Sequence, residues 1–222
     1  MLQPPHAWRL SGALALWAGL LAGRAATVPA EPAPTAVRPG EEFRLRWDPV
    51  GRDLPVYVPS DYEADRRWPV VFLYHGLNGE PTTGLIRDLT GGKGVLVVGM
   101  EYIEPALVRR TAAQQEAYQA RERAQLEELL EALPQRVRLD RSRVYLAGIS
   151  KGGWQVSAFA ESAQPRVAGY MILLAGRLPR ARGERPDLSD RAVYVGTGES
   201  DEGNVYARMG VQFYARCGAQ VT

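Results

Sequence analysis

The 222-residue sequence is short of the side chains that bind metals and form crosslinks: it has one cysteine and two histidines. A lone Cys217 excludes an internal disulfide, so a hydrophobic core must hold the chain together. With His6 and His75 as the only imidazoles, no Cys/His zinc cluster can form. Lysine is scarce as well, present only as Lys93 and Lys151, and the basic side chains are otherwise arginine. The formal charge of +2 is accounted for by Arg9 and Arg24, in an N-terminal stretch without acidic residues, so the remainder is neutral. A nucleic-acid-binding surface is not indicated. Gly91-Gly92-Lys93-Gly94 has no Ser or Thr after the lysine and no Gly-x-Gly-x-x-Gly follows the first strand, so no nucleotide is expected as cofactor, and no metal.

Long apolar runs are also missing, with one exception at the N-terminus. Leu10 to Gly23 follows His6 and Arg9 and is shorter than the roughly twenty residues of a membrane-spanning helix. It suits the apolar part of a secretory signal over residues 1–30, with cleavage after Ala25, Ala26 or Ala30; an uncleaved anchor is the alternative. No cysteine stands near the cleavage region to carry a lipid. Residues 31–40 are rich in proline and alanine and read as a linker, leaving residues 41–222 as one domain. The expected location is secreted or periplasmic, without stable membrane insertion.

What the sequence has is ordinary globular composition, 45% hydrophobic and 23% charged. From Glu41 onward strand and helix patterns alternate. Phe43–Trp47 and Leu54–Val58 read as an antiparallel opening pair, then Pro69–Tyr74 as a buried strand, Thr83–Leu89 as a short helix and Val95–Met100 as another buried strand. Thr111–Leu133 carries Leu126, Leu129, Leu130 and Leu133 at helical spacing and is ended by Pro134. After the strand at Val144–Ala147 come a helix over 151–163, strands at Val167–Leu174 and Ala192–Gly196, and a helix on which Tyr206, Met209, Phe213 and Cys217 share a face. Cys217 reads as a small buried hydrophobe and Trp154 as a core residue. The Arg/Pro-rich stretch from Arg177 to Arg191 is a lid or a solvated loop. The alternation predicts an α/β fold, a mostly parallel sheet with helices on both faces and ligands at the carboxyl ends of its strands.

The chemistry is concentrated in Gly148-Ile149-Ser150-Lys151-Gly152-Gly153. An apolar strand passing at once into a helix forces the residue at the bend into a strained conformation, and its neighbours must lack side chains for the two backbones to approach. The serine oxygen is then presented at a helix N-terminus. A plain strand-turn-helix crossover with a capping serine is the simpler alternative.

The stretch Leu139 to Gly153 resembles the elbow region of the α/β-hydrolases, in particular secreted serine esterases of the polyester-depolymerase and feruloyl-esterase kind. Val58-Pro59-Ser60-Asp61-Tyr62 and Pro69 to Gly76 resemble their early strands, so the likeness runs from about Glu41 onward. It implies Ser150 as nucleophile, with the backbone amides of Leu77 and Lys151 as oxyanion donors and His75-Gly76 as support for the donor loop. It also implies an acid in the turn after Val193–Gly196, where Asp201 is chosen over Glu199 and Glu202; a helix cap is the simpler role for Asp201. The substrate would be a small-molecule or polymeric ester.

One feature departs from that pattern. The family order is Ser, acid, His, yet no histidine follows Ser150, and the sequence stops in what reads as the beginning of the last strand, Gly218 to Thr222. Two expectations compete: an esterase whose last strand and final helix are cut short, with impaired catalysis, or a non-catalytic binding relative. A serine peptidase of the same fold is a third. Pocket loops decide the substrate, and the sequence does not determine their course.

Overall fold

The structure, a computed structural model, describes residues 37–104, 111–162, 166–177, 185–198, 201 and 204–222. The proposed leader and residues 31–36 of the linker lie outside them. Twelve elements build one sheet and its covering helices: β1 (Glu42–Trp47), β2 (Arg52–Tyr57), β3 (Trp68–Tyr74), α1 (Gly84–Thr90), β4 (Leu96–Met100), α2 (Ala112–Ala132), β5 (Leu139–Ile149), α3 (Lys151–Glu161), β6 (Val167–Leu173), β7 (Ala192–Gly196), α4 (Asn204–Arg216) and β8 (Gln220–Val221). The strand order is β1-β2-β4-β3-β5-β6-β7-β8. β1, β2 and β4 pair antiparallel, as the alternation in the first two strands suggested, and every pairing from β4 to β8 is parallel.

The continuous apolar runs are explained by burial on both faces. In β3, Val70, Phe72 and Tyr74 enter one core with Leu126 and Leu129 of α2, Phe159 of α3 and Tyr214 of α4, while Val71 and Leu73 enter a second with Ile86 of α1. Burying each large side chain contributes about 2 kcal/mol, which offsets the missing crosslinks. α2 begins with a capping box, in which Thr111 accepts from the amide of Gln114 and donates its own amide to the Gln114 side chain.

Two expectations are corrected. β5 starts earlier than the apolar run, at Leu139, because Asp140 holds a bulge: its carboxylate accepts from the amide and hydroxyl of Ser142 and from Nε of Arg143 at 2.6 Å. The sheet register accordingly jumps from Trp68 opposite Leu139 to Val70 opposite Val144. On α4 the buried stripe is Ala207, Gly210 and Tyr214, flanked by half-buried Tyr206, Met209 and Phe213, and Cys217 lies just past the helix end. The backbone of Gly176 and Arg177 lies close against the first turn of the helix. A Cβ on Gly176 would sit 2.1 Å from the Tyr206 carbonyl, and the amide of Arg177 donates to that carbonyl at 3.0 Å. Only small residues fit against such an approach. Cys217 itself is a buried free thiol whose pKa is raised by burial. In the stretch 177–191, residues 178–184 lie outside the described set; the rest is anchored, with Leu188 fully buried and its amide donating to the Cys217 carbonyl.

Candidate active site

Ser150 stands between the last residue of β5 and the first of α3, with φ 55° and ψ −115°. A non-glycine residue in that region carries strain of about 1–3 kcal/mol, held in place by its surroundings. The surroundings are tight. A Cβ on Gly148 would lie 2.2 Å from the Gly152 carbonyl oxygen, and one on Gly152 would lie 2.1 Å from the Tyr74 carbonyl oxygen. The amide of Ser150 donates to the Leu173 carbonyl at 2.8 Å, which ties the bend to β6. The side chain is left exposed.

Over the bend passes the loop that follows β3. A Cβ on Gly76 would come within 3.8 Å of the Ser150 Cβ, so the loop backbone passes beside Ser150. The loop is a tight turn, closed by the Gly79 amide donating to the Gly76 carbonyl at 3.1 Å, with Asn78 at φ 58°. Leu77 is exposed, and Lys151 is the first residue of α3. His75 is buried: Nδ1 lies 2.7 Å from the Gly76 carbonyl oxygen and Nε2 lies 3.1 Å from Oε1 of Glu101. Both ring nitrogens are engaged.

Asp201 lies between β7 and α4, where its carboxylate accepts from the Thr197 hydroxyl at 2.9 Å and its carbonyl accepts from the amide of Asn204. Glu199 and Glu202 lie outside the described residues. Trp154 is half-buried at the rim of the core, edge-on to Tyr206 with ring centroids 5.5 Å apart.

No protein-family model matches the chain, and no curated protein matches it in sequence. Solved structures do. The substrate-free ferulic acid esterase of the anaerobic fungus Anaeromyces mucronatus aligns with a TM-score of 0.61 and 14% identity, over 82% of this chain and 80% of that one. The feruloyl esterase module of Clostridium thermocellum, solved with sinapinate, aligns with a TM-score of 0.56 and 15% identity, over 88% and 80%. The Bacillus cereus carboxylesterase gives 0.55 and 20%, over 70% and 77%. The chain has the α/β-hydrolase fold. A thermostable esterase also matches, and the chain covers 52% of its length.

In this α/β-hydrolase sheet the residues singled out from the sequence fall along one edge, the carboxyl ends of the parallel strands. Taken in sheet order they are the loop after β3, Ser150 after β5 and Asp201 after β7. On the β4 side of Ser150 opens a cleft of about 410 Å³, lined in part by Arg52, His75, Glu80, Glu101, Tyr102 and Lys151. Several of these escaped the sequence reading. Glu101 pairs with His75 and, through Oε2, with Arg52 at 3.2 Å, and Tyr102 donates its hydroxyl to the His75 carbonyl at 2.5 Å.

Behind them α2 presents a buried polar face, with the paired amides of Gln119 and Gln155, then Gln125, then Glu122. Burial pushes the Glu122 carboxyl up to about 7, against the opposing pull of the Ile103 amide, Tyr118 and Lys151. Two signals pointed there: an acid directly after a buried parallel strand, at Met100-Glu101, and an acid four residues before Leu126 on an apolar helix face. Among the described residues no group of His, Cys, Asp and Glu could hold a metal ion, and no helix is long and apolar enough to cross a membrane.

Proposed function

We propose that this chain carries the acyl-transfer centre of a serine hydrolase acting on carboxylic esters, with Ser150 as nucleophile. The observation that carries the proposal is the strained, exposed Ser150, bordered by the backbone of a tight donor loop. Ser150 Oγ attacks the ester carbonyl, and the oxyanion that forms is faced by the amides of Leu77 and Lys151. Each such donor stabilises the transition state by about 3 kcal/mol. Collapse expels the alkoxide, which leaves as the alcohol with the proton that the Ser150 hydroxyl gives up, and leaves an acyl group on Ser150; water then releases the acid and restores the hydroxyl. Asp201 is the acid of the arrangement, with Thr197 orienting its carboxylate. Likeness to esterases supports the ester as substrate class, and the first thirty residues are proposed as an export signal.

No base is assigned among residues 1–222. These residues contain no histidine after Ser150, and His75 has both nitrogens engaged, so it takes no proton from the serine. Loss of one triad member lowers turnover by roughly 10⁴–10⁶-fold. A second reading is a relative that binds esters without cleaving them. Incubation with an activated nitrophenyl ester, whose leaving group needs no proton, separates the two. One acyl group per chain on the Ser150 peptide, absent from Ser150→Ala, is the expected result. A folded chain that stays unacylated over hours contradicts the hydrolase and leaves the binder.

A further inference from the structure

Tyr102 touches both arms of the proposed oxyanion hole. Its hydroxyl donates to the carbonyl of His75, the residue that opens the donor loop, at 2.5 Å. Its ring face receives the ammonium of Lys151, with Nζ 3.3 Å from the ring centroid. The ring also meets the His75 ring edge-on at 4.9 Å and the Tyr74 ring at 5.7 Å. The segment bearing it is pinned from behind by α2: Gln125 donates to the Glu101 carbonyl at 3.0 Å, and Glu122 accepts from the Ile103 amide at 3.0 Å. In front, the Tyr102 amide donates to the Glu101 carboxylate at 2.9 Å, which also holds His75. One buried side chain thus joins two backbone segments that reach the site from different strands.

We propose that Tyr102 is a positioning residue which sets the spacing of the two oxyanion donors, holding the Leu77 loop by its hydroxyl and the start of α3 through the Lys151 side chain. The catalytic meaning rests on the hydrolase reading; the clamp itself does not. Burial pushes the Tyr102 hydroxyl well above the ordinary tyrosine range, so it remains a donor across the pH range of a folded chain. The device suits the chemistry. Two amides stabilise an oxyanion only if both lie about 2.7–3.1 Å from one point, and a mobile loop would lose that condition.

Tyr102→Phe keeps the ring and its contact with Lys151 and removes only the hydroxyl. Lys151→Met keeps the backbone amide and removes the ammonium. In the full chain, hydrogen exchange of the amides at 76–79 is expected to quicken by about tenfold in Tyr102→Phe, with the amides of β5 and β6 unchanged. Phosphonylation of Ser150 by a fluorophosphonate is expected to fall about tenfold in limiting rate with its half-saturation concentration kept. Lys151→Met falls by a smaller factor, and the double variant is no slower than Tyr102→Phe, because both act through one clamp. Exchange at 76–79 within twofold of wild type overturns the proposal, as does loss of protection spread evenly over the sheet, which marks Tyr102 as a core residue only. Should the wild type leave Ser150 unlabelled, the hydrolase reading fails while the exchange comparison still decides the clamp.

Discussion

Gly152→Ala is expected to leave a chain that does not hold its native fold, with a loss of more than about 4 kcal/mol. The added methyl would have to sit 2.1 Å from the Tyr74 carbonyl oxygen and 2.8 Å from that of His75. Both belong to backbone, Tyr74 at the end of a strand buried along its whole length, so neither can move aside cheaply. Relief requires α3 to back away from β3, which opens the core around Phe159 and draws the bend at Ser150 out of place. Gly84→Ala is the matched comparison. Its Cβ would meet only the Thr82 hydroxyl at 3.4 Å, at the start of a helix, and a change within about 1 kcal/mol is expected. Urea denaturation of the two variants checks the contrast, and equal stabilities contradict the close approach.

The second large effect is a dependence of stability on pH. Glu122 is fully buried, with a carboxyl raised from 4.5 to about 7 by loss of solvent, and Glu101, also close by, adds to the rise. Between those two values the folded chain holds a proton that the unfolded chain releases. The protonated form therefore favours the fold at low pH, and stability falls as pH rises from about 4.5 through about 7, by about 3 kcal/mol in all. Asp140 and Asp187 are shifted the other way, by hydrogen bonds from Ser142 and Arg143 and from Ser189, and they act below pH 3.8, outside this window. Glu122→Gln keeps the shape and removes the titration. Urea midpoints at pH 5 and pH 8 are expected to diverge in the wild type and to stay close in the variant; identical slopes in the two proteins contradict the assignment.

How much of this could be read from the sequence follows from where the information lies. The strand, bend and helix around Ser150 were legible because the constraint is local, with glycines at fixed offsets from one serine, and the structure shows each of those glycines in backbone contact. The buried strands β3 and β4 were legible for a similar reason, since burial on both faces leaves an unbroken apolar run. On α4 the sequence groups Tyr206, Met209 and Phe213 on one face, and the fully buried stripe lies one residue on, at Ala207, Gly210 and Tyr214. Gly176, thirty positions upstream of Tyr206, lies close against the first turn, and nothing in the helix's own periodicity records that contact. The bulge at Asp140 reads as a polar interruption before a strand, since its role depends on β3 alongside.

The polar layer behind the donor loop was hidden more deeply. Glu101, Tyr102, Glu122 and Gln125 each have an ordinary reading alone, as a loop acid, a loop aromatic and two helix-surface residues. Only the packing of α2 against the end of β4 turns them into partners. Asp201 sits between, named from the position of its turn, with Thr197 as a partner the spacing did not reveal.

Whether Ser150 and the loop after β3 form one site is tested most directly by the structure of a phosphonate adduct. The expected result is phosphorus bonded to Ser150 Oγ and a phosphoryl oxygen within about 2.7–3.1 Å of the amide nitrogens of both Leu77 and Lys151. An adduct on Ser150 whose oxygens point to solvent, with neither amide in reach, would contradict it.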